Sequence, residues 1–261
     1  MELRTDLAVE ITPPSSHRRE ERAGLPVTRL THGGNRYVTV ESAPFAESDG
    51  GEALTELLAQ ELAALLPEKG LVLVVGLGNR FITPDALGPR MADRILATRH
   101  IGGELARVTG LDGLRPAAVL APGVLGNTGV ESGEAVAALV TALRPAAVVA
   151  ADALAARSAS RLGRTVQLTD AGISPGEGVG NRRPGLSAET LGVPVVALGV
   201  PTVAEVSHLA GIAPDGKTGA MIVTPREIDL LVERASRVLA MAVNRALNPT
   251  LSREDFWRLT V

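Results

Sequence analysis

The sequence contains no cysteine among its 261 residues. Disulfide bonds, thiolate metal sites and a cysteine nucleophile are therefore excluded together. Aromatic residues make up only 2% of the chain, so alanine, valine and leucine must supply most of the core. The net charge of -3 provides no global positive field for nucleic acid. No apolar run is long enough to span a bilayer, and the N-terminus lacks the apolar centre of a signal peptide. These absences predict a cytoplasmic protein without membrane or nucleic-acid partners.

Apolar runs of strand length alternate with helical segments over most of the chain. Continuous apolar runs of this kind are typical of strands covered on both faces, as in a parallel sheet. They span residues 71–75, 117–120, 146–151, 165–168 and 193–198, and a separate short strand is predicted at 36–41. Helical spacing predicts helices over residues 52–66, 84–97, 132–143 and 224–247. The alternation predicts one α/β domain over residues 1–261, a three-layer αβα sandwich with a mostly parallel central sheet.

A glycine-rich turn follows the first of the apolar runs, in the stretch "VVGLGNRFITPDALGP" at residues 74–89. Gly76 and Gly78 fit the start of a dinucleotide-binding fingerprint, but Phe81 stands where the third glycine belongs, and a Walker loop is absent. The glycines therefore favour a tight turn over a phosphate site. Asp85 follows in the first turn of the next helix. It either complements the helix dipole or lies in a functional crevice at the carboxyl edge of the sheet.

A second carboxylate, Asp152, directly follows the apolar run at 146–151. It either caps a helix over residues 153–161 or lies at the same sheet edge as Asp85. Two carboxylates brought together by different strands suit acid–base hydrolysis. One takes a proton from water, while the other, kept protonated by its charged neighbour, polarises a carbonyl group. Whether the two strands are adjacent is not visible in the sequence, so both interpretations stay open here.

Two further glycine-rich loops, at residues 121–129 and 170–185, also leave strands. Long loops with little structure of their own are often functional, although the glycines could serve only to make such connections possible. We expect both loops to line the same crevice as the first turn. The predicted crevice-lining residues are Gly76, Gly78, Asn79, Gly123, Gly126, Gly178 and Asn181.

Six motifs occur in a fixed order between Leu71 and about Asn248, and a seventh, "RTDLAVE", lies at residues 4–10. The six are "VVGLGNRFITPDALGP", "APGVLGNTGVES", "ADALAARS", "DAGISPGEGVGNRR", "LGVPVVALGVPTV" and "VTPREID". In content and order they resemble the spore germination proteases, which degrade small acid-soluble spore proteins. More distantly, "GLGNRFITPDALG" resembles the first loop of hydrogenase maturation endopeptidases, where an acidic residue takes the place of Asp85.

The resemblance implies an atypical aspartic endopeptidase of the spore core that acts on small acid-soluble spore proteins and needs no cofactor or metal. It assigns catalysis to Asp85 and Asp152, in the matched motifs "TPDALGP" and "DALAAR". The family is made as a zymogen that cuts itself within a segment resembling "RTDLAVE". This implies self-cleavage between Asp6 and Leu7, with residues 1–6 as a short propeptide.

The resemblance also bears on assembly. Longer family members carry a large insertion between the last two motifs, where this chain has only residues 204–222. The family forms tetramers, so we expect this chain to form homo-oligomers if the contacts lie outside that insertion.

Two other functions fit the same residues. Asp85 and Asp152 would be nickel-type ligands in a metal-dependent maturation peptidase, which would need a third ligand, often histidine. The candidates are His17, His32, His100 and His208, of which only His208 closely follows a predicted strand. A non-catalytic homologue would bind spore proteins without cutting them, but the presence of both aspartates argues against this function.

Overall fold

The computed structural model describes residues 5–109, 111, 113–174, 185–210 and 221–260. Nine strands in this part of the chain form one sheet. The strands are β1 (Arg18–Arg22), β2 (Leu25–His32), β3 (Asn35–Glu41), β4 (Val72–Gly76), β5 (Ala117–Leu120), β6 (Ala147–Ala156), β7 (Thr165–Thr169), β8 (Val195–Glu205) and β9 (Ile222–Val223).

Ten α-helices accompany the sheet within the described ranges. They are α1 (Ala8–Ile11), α2 (Gly51–Ala63), α3 (Leu87–Ala92), α4 (Gly103–Thr109), α5 (Leu125–Thr128), α6 (Ser132–Leu143), α7 (Ala188–Leu191), α8 (Val206–Ala210), α9 (Ile228–Leu247) and α10 (Arg253–Thr260). Two short 3-10 turns are formed by Pro14–Ser16 and Thr83–Asp85.

The strand order is β1-β2-β3-β7-β8-β6-β4-β5, with β9 paired to β8. Strands β8, β6, β4 and β5 are parallel to one another, and the remaining pairings are antiparallel. The predicted α/β class, with a large central sheet flanked by helices, is confirmed. The sheet is mixed and not mostly parallel as predicted, because in the described residues three strand pairings are parallel and five are antiparallel. The antiparallel strands of residues 18–41 widen the sheet beyond what the apolar runs indicated. Of these, β1 is the charged edge segment "RREER", which carries no apolar signal.

Helices cover both faces of the sheet, as the alternation of side chains along β4 demonstrates. Val72 and Val74 pack in the cluster that includes α2 and α9, whereas Leu73 and Val75 pack in the cluster that includes α6. All four side chains are fully buried. Burying a valine or leucine side chain contributes about 1.5–3 kcal/mol, so this double coverage explains why the central strands are continuously apolar.

Three local predictions were wrong, and all three concern segments near the carboxyl edge of the sheet. Instead of one helix over 84–97, the chain forms the 3-10 turn Thr83–Asp85 and then the short α3. No helix forms over 153–161, because β6 continues through Asp152 to Ala156. The helix predicted over 224–247 begins only at Ile228, as α9, and the hydroxyl of Thr224 donates to the carbonyl oxygen of Thr202 at 2.8 Å.

Candidate active site

The candidate active site lies where the direction of strand addition reverses. From β4 the chain places β5 on one side and β6 on the other, and β8 is added beyond β6. In open parallel sheets, ligands bind at the carboxyl ends of the strands at such a switch point. Gly76 pairs with Ala151, and the N–H of Leu77 donates to the carbonyl oxygen of Ala151 at 2.8 Å. The strands that lead to Asp85 and Asp152 are therefore adjacent.

Asp85 is presented by the 3-10 turn Thr83–Asp85, which folds back over the glycine turn after β4. Its N–H donates to the carbonyl oxygen of Ile82 at 2.8 Å, and its Oδ2 accepts a hydrogen bond from the N–H of Asn79 at 2.8 Å. Gly78 adopts a φ of 114°, and a Cβ there would lie 2.0 Å from the carbonyl oxygen of Asp85. Only glycine allows this approach, so the glycine turn is shaped to support a carboxylate.

Asp152 lies inside β6 and is only 5% exposed. Its Oδ1 accepts a hydrogen bond from the N–H of Ala153 at 2.8 Å. Burial raises the pKa of Asp152 well above its usual range, and the negative charges of Asp85 and, more weakly, Asp6 raise that pKa further. The hydrogen bond from Ala153 opposes this rise without cancelling it. Asp152 therefore keeps its proton to a higher pH than an ordinary aspartate does, which suits the acid of an acid–base pair.

The loop at residues 121–129 contacts the turn that carries Asp85. The Nδ2 of Asn127 donates to the Oδ1 of Asn79 at 3.0 Å, and Asn79 in turn donates its N–H to Asp85. In the same loop, Gly126 lies in α5, and the carbonyl oxygen of Gly123 accepts a hydrogen bond from the hydroxyl of Ser132 at 2.8 Å.

The predicted crevice residues therefore fall into two groups. The connected segments beside Asp85 contain Gly76 at the end of β4, Gly78 and Asn79 in the turn that follows it, and Gly123 and Gly126 in the loop at 121–129. Gly178 and Asn181 lie outside the described residues.

Sequence reasoning missed Thr202, which supports the turn from the neighbouring strand. Leu154 of β6 pairs with Pro201 and Ala155 pairs with Val203, so Thr202 is the extra residue of a β-bulge in β8. Its side chain is fully buried, and its hydroxyl donates to the carbonyl oxygen of Pro84 at 2.7 Å. Bulges redirect side chains in this way near functional sites. In the sequence, the only feature that could have indicated Thr202 was its position as a hydroxyl residue directly after Pro201 in an apolar run.

The N-terminal segment that contains Asp6 and Leu7 lies along the end of β6. The N–H of Asp6 donates to the carbonyl oxygen of Ala155 at 3.0 Å, and its Oδ2 accepts from the N–H of the same residue at 2.7 Å. Leu7 is fully buried in a cluster with Leu30 and Leu154. This segment approaches Asp152 closely enough for the charge of Asp6 to affect its pKa.

A buried carboxyl group with a raised pKa beside a second carboxylate is typical of acid–base enzymes. Comparison with known proteins identifies the class of enzyme as peptidase. The family model described as germination protease matches residues 26–216. That match covers more than half of the chain. The chain therefore belongs to the germination protease family, and the resemblance in its motifs is confirmed.

Curated relatives support this assignment. The chain is 38% identical over 261 residues to the germination protease of Clostridium perfringens (strain SM101 / Type A), covering 84% of this chain and 80% of the relative. It is 35% identical to that of Caldanaerobacter subterraneus subsp. tengcongensis, covering 98% of both. The germination protease of Priestia megaterium is 46% identical over 177 residues, covering 65% of this chain and 48% of the relative.

Among solved structures, the NiFe hydrogenase maturation protease HycI from Thermococcus kodakarensis KOD1 matches with a TM-score of 0.40. It is 20% identical and covers 70% of this chain and 98% of its own. At this level of similarity it carries no inference about the present chain. None of the described helices combines the length and apolar character of a membrane span. Nor do the described residues include three or more histidine, aspartate or glutamate side chains grouped to hold a metal ion.

Proposed function

We propose that this chain is an aspartic endopeptidase of small acid-soluble spore proteins, active in the spore core during germination, with Asp85 and Asp152 as its catalytic pair. The observation that carries the proposal is the buried Asp152, whose raised pKa is due to burial and to the charge of Asp85 at the switch point of the sheet. Membership of the germination protease family supports a protease role in germination.

The two carboxylates have different environments, and these suggest different roles. Asp85 is half-buried and accepts a main-chain hydrogen bond, so it acts as the ionised base that takes a proton from water. Asp152 is buried and retains its proton, so it acts as the acid that protonates the oxygen of the scissile carbonyl.

The reaction then proceeds through a tetrahedral intermediate. The water oxygen bonds to the carbonyl carbon as Asp85 accepts the water proton and Asp152 gives its proton to the carbonyl oxygen. The carbon–nitrogen bond breaks as Asp85 passes its proton to the leaving amine. Asp152 recovers a proton from the hydroxyl of the intermediate, which leaves a carboxylic acid product and restores both groups.

Exposed apolar side chains next to Asp85 suit an extended peptide substrate. Phe81 is 80% exposed and Ile82 is 53% exposed, and both lie on the loop that leads into the catalytic turn. Exposed apolar side chains that are grouped together often mark a site of contact with a partner. In the proposal they pack against apolar side chains of the spore protein beside the bond that is cut.

The same pair would process the chain itself between Asp6 and Leu7. The segment Thr5–Glu10 lies along the end of β6 and approaches Asp152. Self-cleavage there would release residues 1–6 and leave Leu7 as the new N-terminus.

The test is incubation of the purified chain with a small acid-soluble spore protein, followed by mass spectrometry of the fragments. We expect specific cleavage by the wild type and none by Asp85→Asn or Asp152→Asn. Asp93→Asn is the matched control, because Asp93 is 53% exposed at the end of α3, and it should cut like the wild type. Full activity in either dyad variant would contradict the proposal.

The same assay separates the alternatives. Activity that is lost with a chelator and restored by nickel would identify a metal-dependent peptidase. Binding of the spore protein without cleavage by the wild type would identify a non-catalytic homologue.

A further inference from the structure

The side chain of Gln167 on β7 holds the main chain on both sides of Leu7. Its Nε2 donates to the carbonyl oxygen of Asp6 at 2.8 Å, and its Oε1 accepts from the N–H of Ala8 at 2.8 Å. Gln167 is only 5% exposed, so these bonds form away from bulk water. The carbonyl group of Asp6 belongs to the Asp6–Leu7 peptide bond, which is the bond of the proposed self-cleavage.

Gln167 and Asp152 lie in one row across the sheet. Gly199 of β8 pairs with Gln167 on one side and with Asp152 on the other. Residues directly opposite one another in neighbouring strands point to the same face. With strands about 4.8 Å apart, the Cα atoms of Gln167 and Asp152 are separated by roughly 10 Å.

The residue between them has no side chain. A Cβ at Gly199 would lie 2.4 Å from the carbonyl oxygen of Asp152 and 2.7 Å from the Cγ of Leu154, so no larger residue fits this position. The row therefore has a functional side chain at each end and none in the middle. The side chain of Leu154 fills the space beside Gly199, and Leu154 belongs to the cluster that buries Leu7 of the N-terminal segment.

The acidic side chains of the segment fix its position along β6. Asp6 accepts a hydrogen bond from the N–H of Ala155 at 2.7 Å. Glu10 accepts hydrogen bonds from the N–H groups of Arg157 at 2.7 Å and Ser158 at 3.0 Å. Carboxylates that accept main-chain hydrogen bonds form strong, directional contacts. Together they set which peptide bond lies beside Gln167.

We propose that Gln167 is a substrate-binding residue of this peptidase, which binds the peptide on both sides of the scissile bond and donates a hydrogen bond to the carbonyl oxygen that is attacked. The inference rests on the proposed function. A carbonyl oxygen has two lone pairs, so Gln167 and Asp152 can each act on one of them. The hydrogen bond from Nε2 strengthens as negative charge develops on the oxygen during attack, and it therefore lowers the barrier to cleavage. Spore-protein substrates occupy the same position through the same two hydrogen bonds.

Three variants of the full chain test this role. Gln167→Met keeps the length of the side chain and removes both hydrogen bonds. Gln167→Glu keeps an acceptor for the N–H of Ala8 but, when ionised, has no donor for the carbonyl oxygen of Asp6. Thr165→Val is the control, because Thr165 is buried on the same face of β7 and, among the described residues, its hydroxyl has no hydrogen-bond partner.

The measurement is the rate of loss of residues 1–6 by intact mass, together with the rate of spore-protein cleavage, between pH 4 and pH 7. We expect Gln167→Met to be about 100-fold slower at every pH, at the lower end of the roughly 100- to 1000-fold loss expected when one such donor is removed. Gln167→Glu should be as slow at pH 7 but approach the wild-type rate near pH 4, where the introduced carboxyl group is protonated and donates again. Thr165→Val should stay within about twofold of the wild type.

Melting curves establish whether each variant is folded. If Gln167→Met does not fold, Gln167→Glu alone tests the role of Gln167. Wild-type rates in the Gln167 variants, or a deficit in Gln167→Glu that is the same at every pH, would overturn the role of Gln167 and leave the proposed function intact. A wild type that cuts neither itself nor the spore protein would overturn the proposed function and, with it, this inference.

Discussion

The hydroxyl of Thr202 donates a 2.7 Å hydrogen bond to the carbonyl oxygen of Pro84, and this bond joins the bulge of β8 to the turn that presents Asp85. The carbonyl oxygen of Thr202 itself accepts a hydrogen bond from Thr224, so the bulge is fixed on both sides. Thr202 does not reach the reacting atoms in the proposed mechanism. Its contribution would be to hold the turn so that Asp85 stays close to Asp152.

This contact predicts that Thr202→Val lowers kcat while KM changes little, whereas Thr202→Ser keeps most of the activity. Loss of the hydroxyl removes this hydrogen bond from the part-buried carbonyl oxygen of Pro84, at a cost of about 1–3 kcal/mol, so the turn shifts away from β8. A more distant Asp85 raises the pKa of Asp152 less. In a plot of kcat/KM against pH, the fall in activity at high pH should therefore occur at a lower pH in Thr202→Val than in the wild type. An unchanged profile and kcat would mean that Thr202 only stabilises the fold.

Asp152→Asn should stabilise the protein at neutral pH while it removes activity. Because the pKa of Asp152 is raised in the folded state, ionisation of this group costs native stability. The wild type therefore loses stability as the pH rises from about 4, the ordinary pKa of aspartate, through the folded-state pKa. The variant avoids this loss and should gain at least about 1 kcal/mol in the free energy of unfolding at pH 7–8.

Urea unfolding at pH 3.5 and at pH 7.5 measures the difference. The stability advantage of Asp152→Asn should be absent at the lower pH. The exposed Asp93→Asn control should show no comparable gain at the higher pH. An Asp152→Asn variant that is less stable than the wild type at pH 7.5 would contradict the description of Asp152 as a buried, protonated carboxyl group.

Phe81→Ala should weaken cleavage without weakening the fold. Because Phe81 is 80% exposed, the free energy of unfolding should change by less than about 0.5 kcal/mol. If the ring contacts the substrate, kcat/KM for a spore protein should fall by about tenfold, equivalent to about 1.4 kcal/mol of lost apolar contact. Val108→Ala, at an equally exposed apolar residue of α4, is the control and should have no effect. Equal values of kcat/KM for Phe81→Ala and Val108→Ala would exclude a substrate contact at Phe81.

Incubation near pH 5 should remove residues 1–6 from the wild type and not from Asp85→Asn. Mild acid favours the reaction because it maintains the protonated form of Asp152, whose pKa is raised by burial and by the charge of Asp85. Intact-mass measurement over time detects the loss. An unchanged N-terminus in protein that still cuts a spore-protein substrate would show that residues 1–6 are not a propeptide.

The central strands and the two candidate aspartates were visible in the sequence for a local reason. A strand covered on both faces must be apolar at every position, so β4 and the first half of β6 stand out without any knowledge of the fold. A carboxylate that closely follows such a strand is placed at the sheet edge by chain connectivity alone. Edge strand β1 has no such requirement, and its five charged residues gave no sign of pairing.

Strand order was decided only by the tertiary structure, because pairing joins residues that are distant in sequence and leaves no local pattern. The adjacency of β4 and β6 places Asp152 beside Asp85, and the pairing of β6 with the long β8 keeps residues 152–156 extended where local propensity favoured a helix. The contacts of Gln167 with Asp6 and of Thr202 with Pro84 likewise join segments more than a hundred residues apart. An amide or hydroxyl in a buried strand looks the same in sequence whether it is structural or functional. Only its partners, brought together by packing, distinguish the two.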